Sequence, residues 1–272
     1  MLLVKGLTVD RRNPDLADLA AETDPERFLW RILPHAARSF AASIVVLPRD
    51  AALASAVAYL YCRMLDTYED LIPEPDRCQA ELERFAARLH DRTPGAPTVL
   101  EPSLARDDRD HVYLVLISRC SLIDQMYATL PAEARGEIAD LVESMAAGMV
   151  WSTGAFARQG GVLLDQEQLA HYCRNVIGYP ALFTLSQVAD GELNDEARED
   201  AMLVSEMIQL ANVTRDIERD LERGVAYHPA LKPHLGKRAD EIGVKQAVEF
   251  VRQEFLSMAL SRAPAYRRIF EG

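Results

Sequence analysis

The sequence lacks the patterns that mark several common classes of protein. Its four cysteines form no Cys-x-x-Cys pair and its six histidines form no His-Glu-x-x-His motif, so neither a disulfide framework nor a zinc site is indicated. We therefore expect reduced thiols in a cytoplasmic protein. The apolar run over residues 51–61 falls well short of the roughly 20 residues that span a bilayer. The apolar start, residues 1–6, is too short to indicate a signal peptide.

Positive charge is also in the minority. With 42 acidic and 30 basic side chains, the formal net charge is −12, so the surface as a whole repels nucleic acid and we expect no nucleic-acid partner. An anionic substrate would have to be attracted locally, by a metal ion and nearby arginines. The alternative for most of these charges is that they only keep the protein in solution.

The chain reads as a series of helices. Strict alternation of polar and apolar residues is nearly absent, which argues against strands. No linker or change of composition divides the chain, so we predict one all-α domain over residues 1–272, a helical bundle with a central cavity. Helices are predicted over residues 25–33 and 35–47 (broken at Pro34), 50–71 (capped by Asp50), 76–90, 104–128, 132–159, 166–190, 195–223 and 239–269.

Two acidic clusters lie near the ends of long apolar stretches. Asp66, Glu69 and Asp70 share one helix face, and Asp216 and Asp220 share another, because residues three and four apart are neighbours on a helix. Two such faces set opposite each other would repel unless cations lay between them. Ligands that offer only oxygen suit Mg²⁺, which keeps positions for water and phosphate. The pattern predicts a receptor for a diphosphate.

The residues before each cluster strengthen this interpretation. Residues 58–65 and 207–214 are mostly apolar, so the clusters fall where a buried helix is predicted, and buried carboxylates are costly unless paired or bound to metal. Arg38, Arg63 and Arg215 stand close to these segments and could bind phosphate oxygens. Two alternatives stay open: each cluster is a solvated helix face, and each arginine only neutralises a neighbouring carboxylate.

Four ordered segments resemble the squalene/phytoene synthases, head-to-head prenyl transferases of the isoprenoid synthase fold. The resemblance runs through residues 38–40, 59–70, 172–178 and 209–220, and more weakly through 223–229. The form Leu65-Asp66-Thr67-x-Glu69-Asp70 is more similar to squalene synthase than to phytoene synthase.

The resemblance implies roles at the matching positions. Metal binding is implied for Asp66, Glu69, Asp70, Asp216 and Asp220; substrate binding for Arg38, Ser39, Phe40, Arg63, Asn212 and Arg215; and a catalytic role for Tyr59, Tyr172 and Arg63. A phenol near the reacting centre can assist proton transfer, and its ring can stabilise a carbocation. For Tyr172 a core tyrosine with a satisfied hydroxyl remains the alternative.

The implied activity is an Mg²⁺-dependent condensation of two farnesyl diphosphates, through presqualene diphosphate, to squalene or another C30 product. NADPH as a reductant is left open, as is peripheral membrane contact for product release. Two departures from the family pattern matter: Gly178-Tyr179-Pro180 replaces a small, glycine-rich kink, and the stretch after Pro229 is shorter than usual. The alternatives are a divergent enzyme that ionises one prenyl diphosphate, for cyclisation or for transfer to another acceptor, and a non-catalytic helical relative.

Overall fold

The computed structural model describes residues 15–37, 40–90, 95–189, 193–238, 240–241 and 243–271. Within these ranges the chain is predominantly helical and contains no strand, although an isolated bridge pairs Val162 with Ala226. The all-α prediction is therefore confirmed. The chain divides into two compact units, Met1–Ala147 and Gly148–Gly272, and the single domain over residues 1–272 stays a prediction.

The first unit is arranged around one long helix. Its helices are α1 (Leu16–Ala21), α2 (Pro25–Ala37), α3 (Phe40–Val45), α4 (Arg49–Leu71), α5 (Pro75–Ala87), α6 (Asp108–Ser118), α7 (Cys120–Thr129) and the start of α8 (Ala132–Gln159). Helix α4 is rich in alanine and leucine and has no internal glycine or proline, which favours a long helix. It packs against α2, α5, α6 and α7 and buries side chains on several faces, including Tyr61 and Tyr68.

The second unit is arranged around α11. After α8 come α9 (Gln166–Cys173), a π-helical segment (Arg174–Gly178), α10 (Tyr179–Ser186), α11 (Asp195–Glu222), α12 (Val244–Ser261) and α13 (Ala263–Glu271). Asn194 caps α11, its side chain accepting a hydrogen bond from the amide of Ala197 at 2.8 Å. Helix α11 packs against the π-helical segment, α12 and α13.

Two predictions about helix starts and breaks are wrong. Helix α2 continues through Pro34 to Ala37, although an internal proline costs about 3 kcal/mol. Phe28, Leu29 and neighbouring side chains of α2 are buried, and this packing offsets the cost. Asp50 lies in the first turn of α4 and Pro48 is the N-cap residue, so Asp50 favours the helix N-terminus by its charge.

Three predicted helices are interrupted in the structure. The helix predicted over 104–128 splits at Arg119, whose side chain donates a hydrogen bond to the carbonyl oxygen of Glu22. The one predicted over 166–190 contains the π-helical segment, and the one predicted over 239–269 begins at Val244 and breaks at Arg262. The predictions for α8 and α11 agree with the structure to within a residue at each end.

Ion pairs that arginines make with buried carboxylates join the helices of the second unit. Glu206 on α11, only 2% exposed, accepts a hydrogen bond from Arg174 Nε at 2.6 Å and another from Arg262 Nε at 3.1 Å. Asp200, also on α11, accepts one from Arg268 Nε at 2.7 Å. Because charges buried in this way are costly unless they are paired, these contacts define how α12, α13 and the π-helical segment pack on α11.

Candidate functional site

The first acidic cluster lies at the C-terminal end of α4. Asp66 pairs with Arg63 one turn earlier, with 3.0 Å between Arg63 Nη1 and Asp66 Oδ2. Burial raises the pKa of Asp66; Arg63 opposes this rise, and the nearby charge of Asp70 adds to it. Asp66 and Asp70 therefore lie close enough to influence each other, while Glu69 is half-buried and Asp70 exposed.

Aromatic rings surround Arg63. Its guanidinium carbon lies 5.1 Å from the ring centre of Tyr113 and 5.7 Å from that of Tyr59, and its Nη2 donates to the hydroxyl of Tyr59 at 3.0 Å. Burial raises the pKa of Tyr59, with Arg63 opposing the rise. Arg63 Nε is buried without a hydrogen-bond partner among the described residues. This donor is available to an additional acceptor.

A further arginine lies near this cluster. Arg106 donates through Nε to Asp110 Oδ2 at 2.8 Å, and its backbone amide donates to the same oxygen at 2.9 Å. Its pKa is raised, first by the hydrogen bond to Asp110 and further by the charge of Asp70, while burial opposes the rise. Sequence reasoning missed both Arg106 and Tyr113, because no motif marks the loop and helix that bring them to the end of α4.

The second cluster lies near the C-terminal end of α11. Asp216 pairs with Arg215 at 2.7 Å and with Arg219 at 3.2 Å. The hydrogen bond from Arg215 lowers the pKa of Asp216 although burial opposes it. Asp220 is different: burial raises its pKa, the charge of Asp216 adds to the rise, and Arg219 opposes it. Neighbouring carboxylates with opposite shifts are typical of functional sites.

The other residues predicted on α11 lie just before the second cluster. Asn212 is half-buried, and its Nδ2 donates to Gln209 Oε1 at 3.1 Å. Arg215 is mostly exposed. In this structure Arg215 therefore neutralises Asp216, as Arg63 does Asp66, and any contact with phosphate would be added to these pairs.

Tyr172 belongs to an aromatic group within the second unit. Its ring centre lies 6.2 Å from that of Phe156 and 5.2 Å from that of Tyr227, and the rings of Phe156 and Tyr227 are 5.9 Å apart. The hydroxyls of Tyr172 and Tyr227 are 3.5 Å apart. Tyr227 was not predicted as a site residue, although it lies in the weaker part of the resembling sequence.

Three of the predicted substrate-binding residues lie at the start of α3 or directly before it. Arg38 and Ser39 lie outside the described residues. Phe40 is 63% exposed and stacks on Tyr59, with 6.2 Å between ring centres. A side chain so exposed is available for contact with a ligand, and its stacking on Tyr59 keeps it beside the first cluster.

The carboxylates of the two clusters offer the hard oxygen ligands that Mg²⁺ prefers. In the described part of the chain, no group of three or more His, Cys, Asp or Glu side chains is arranged to hold a metal ion alone. Mg²⁺ typically uses few carboxylates and completes its shell with water and substrate phosphate. Asp66 with Asp70, and Asp216 with Asp220, offer such pairs of hard oxygen ligands, so the residues present fit the ion.

The residues around the two acidic clusters are consistent with binding of an organic anion. Each cluster combines carboxylates with an arginine, and aromatic rings lie beside each cluster. All four cysteines are free and buried; Cys62 lies close enough to Asp66 that this carboxylate adds to the rise that burial causes in the pKa of the thiol. No helix of the described chain is long and apolar enough to cross a membrane.

Comparison with known proteins gives the family. The squalene/phytoene synthase profile matches residues 33–259. Squalene synthase of Rattus norvegicus is 25% identical over 236 residues, which cover 85% of this chain and 51% of the relative. The chain thus spans about half the length of that relative.

Solved structures agree on the fold. TcSQS bound to E5700 shares 22% identity with a TM-score of 0.70, covering 90% of this chain and 70% of TcSQS. TcSQS bound to BPH1237 shares 21% identity with a TM-score of 0.68, covering 90% and 71%. Squalene synthase HpnC from Alicyclobacillus acidocaldarius shares 18% identity with a TM-score of 0.55, covering 95% and 86%. The predicted isoprenoid synthase fold is confirmed, and because the profile spans most of its length, the chain belongs to the squalene/phytoene synthase family.

Proposed function

We propose that this protein condenses two farnesyl diphosphates head to head, through presqualene diphosphate, to squalene or a related C30 product. Membership of the family supports head-to-head prenyl condensation in general. The observation that carries the proposal is the aspartate–arginine pair at the end of a long helix, Arg63 with Asp66 on α4, which recurs on α11 as Arg215 with Asp216.

The carboxylates and arginines bind the diphosphates in this proposal. Asp66, Asp70, Asp216 and Asp220 hold Mg²⁺, which when bound neutralises charge on the departing diphosphate. Arg63 donates to phosphate oxygens while keeping its contact with Asp66, because a guanidinium has several N–H donors and its Nε is unused among the described residues. Arg215 is mostly exposed and donates through Nε and Nη2 to Asp216, so in this proposal a phosphate oxygen contacts its other N–H groups.

The aromatic residues act on the hydrocarbon in this proposal. Cleavage of the C–O bond of one farnesyl diphosphate leaves an allylic cation; the double bond of the second attacks it, and loss of a proton closes a cyclopropane. Tyr59 and Tyr172 lie beside the clusters with their rings packed against Phe40 and Phe156 respectively. Such rings exclude water and stabilise the cation through their π faces. Conversion to squalene further requires departure of the second diphosphate, rearrangement of the resulting cation and a hydride, for which NADPH is the proposed donor.

A product assay tests the proposal. The protein is incubated with farnesyl diphosphate and Mg²⁺, with and without NADPH, and both the aqueous phase and a hexane extract are analysed by mass spectrometry. We expect a C30 product in both reactions. An enzyme that also carries out the reductive step forms squalene only when NADPH is present. Chelation of Mg²⁺ and the substitution Asp66→Asn serve as inactive controls. Recovery of unchanged farnesyl diphosphate from folded protein would sink the proposal.

A second candidate function rests on the segment after Tyr172. The π-helical turn Arg174–Gly178 leads directly into α10, with Tyr179 and Pro180 as its first residues. Tyr179 and Pro180 are larger than the residues of the glycine-rich kink in the family pattern and would reshape the space for substrate. This favours an enzyme that ionises one prenyl diphosphate and then cyclises it or transfers it to another acceptor. Cyclic or hydroxylated C15 products in the same extracts would favour this reading, and a C30 product from farnesyl diphosphate alone would exclude it.

A further inference from the structure

Tyr227 is held in place by an unusual backbone arrangement. The amide of Ala226 donates to the carbonyl of Gly161 at 2.8 Å, and the amide of Leu163 donates to the carbonyl of Ala226 at 3.0 Å. Gly161 and Gly224 both have positive φ angles, +85° and +81°. A Cβ on Gly161 would lie 2.2 Å from the carbonyl oxygen of Gly224, so only glycine allows this approach. The result is a short clip that fixes the backbone immediately before Tyr227.

The side chain of Tyr227 bridges two residues of the candidate site. Its hydroxyl lies 3.3 Å from Asp220 Oδ2 and 3.5 Å from the hydroxyl of Tyr172. Both distances exceed the usual O–H···O length, and contacts of this kind commonly tighten when a ligand binds. Tyr227 is 8% exposed, and its ring packs against Phe156 and Tyr172.

The direction of the hydrogen bonds follows from proton count. A tyrosine hydroxyl has one proton to donate and can also accept. An ionised Asp220 only accepts, so Tyr227 donates to it, and the remaining contact must be donated by Tyr172. Tyr172, Tyr227 and Asp220 thus form one directed chain within the second unit.

We propose that Tyr227 is a positioning residue, which orients the carboxylate of Asp220 for Mg²⁺–diphosphate and orients the phenol of Tyr172 toward the substrate. This inference rests on the proposed function, because it gives Asp220 and Tyr172 the roles stated there. Groups that hydrogen-bond a metal-binding carboxylate orient it, and their loss typically weakens metal affinity about 10–100-fold. A tyrosine that served only to fill the core would leave ligand affinity unchanged when its oxygen is removed.

The test compares tyrosine-to-phenylalanine variants that each lose one oxygen. Isothermal titration calorimetry measures binding of Mg²⁺ with inorganic diphosphate to the full chain. Tyr227→Phe is expected to weaken this binding about tenfold or more and to lower kcat with farnesyl diphosphate more than it raises KM. Tyr172→Phe is expected to lower kcat and leave diphosphate binding unchanged. Tyr127→Phe, which loses a bond to the carbonyl of Arg135 at 2.9 Å in the first unit, is expected to change neither.

A double-mutant cycle gives a readout that needs no ligand. Melting temperatures of the metal-free protein are measured for Tyr227→Phe, Asp220→Ala and the double variant. If the hydroxyl acts through Asp220, the two changes are non-additive. Additive effects, or Tyr227→Phe protein that binds Mg²⁺–diphosphate as tightly as wild type, would overturn the positioning role alone. Wild-type protein that binds no Mg²⁺–diphosphate would overturn the proposed function and this inference together.

Discussion

The first unit contains both buried and exposed ion pairs, and Arg88 with Asp124 is a buried one. Arg88, 6% exposed, donates to Asp124, which also accepts a hydrogen bond from the hydroxyl of Tyr61 at 2.7 Å. The guanidinium lies 5.1 Å from the ring centre of Phe85. Breaking one partner of such a buried pair leaves a charge without compensation, which is far more costly than losing a pair at the surface.

Replacing Asp124 by Asn should therefore destabilise the protein strongly. The new amide can still accept from Tyr61, but it no longer neutralises Arg88, and loss of a buried partner costs about 3–5 kcal/mol. Urea unfolding measures the change. Glu26→Gln is the matched control, because the exposed pair of Glu26 with Arg49 contributes about 1 kcal/mol or less. Equal small losses in both variants would contradict the buried-pair argument.

Helical spacing predicts which acidic residues are neighbours but not what lies across from them. Asp66 and Asp70 lie close together because they are four residues apart on α4. Tyr113 and Arg106 reach the same place from a different helix and loop, through packing that the sequence does not display. Tyr227 likewise reaches Asp220 only because the glycine clip turns the chain back after α11.

The long helices could be predicted and their interruptions could not. The helix-forming composition of residues 195–223 marks α11 from the sequence. The break at Arg119 coincides instead with a hydrogen bond to Glu22, 97 residues away along the chain. The π-helical segment similarly packs against α9, α10 and α11. Tertiary contacts of this kind override local propensity.

The contact between α8 and the π-helical segment provides a test at the level of the element. Gly148→Ala would place its Cβ 2.5 Å from Cβ of Asn175, which is buried. Overpacking of this kind costs about 1–3 kcal/mol, more than alanine contributes as a better helix former. We expect a lower melting temperature and, because Asn175 follows Tyr172 by three residues, reduced turnover.

Gly136 offers the control within the same helix. A Cβ at Gly136 meets nothing within 4 Å, so Gly136→Ala should stabilise the protein by up to about 1 kcal/mol through helix propensity. Turnover should be unaffected. If Gly148→Ala were also stabilising, the close packing of α8 against Asn175 would be wrong.

At the scale of the whole molecule, the feature that bears on function is where the acidic side chains lie, rather than the net charge of −12. Each compact unit carries one carboxylate cluster at the end of its central helix, and each cluster includes an aspartate whose pKa is raised by burial and by its acidic neighbour. The sequence predicted both clusters from their apolar surroundings. It could not show that the first aspartate of each is already paired with arginine, because that depends on side-chain conformation.

The final prediction treats the clusters separately. Asp70→Asn and Asp220→Asn each keep the shape of the side chain and remove one of two like charges, so the metal-free melting temperature should not fall. Both should abolish turnover.

Mg²⁺ with inorganic diphosphate should raise the melting temperature of wild type, by the equivalent of about 2.7 kcal/mol at a hundredfold excess over Kd. It should raise the melting temperature of the two variants much less. Asp76→Asn removes the same charge at the exposed start of α5. It should keep the turnover and the ligand-induced rise in melting temperature of wild type, with only a small loss of metal-free stability because an aspartate in the first turn favours a helix N-terminus. Near-normal turnover in Asp220→Asn would show that the second cluster is only a solvated helix face.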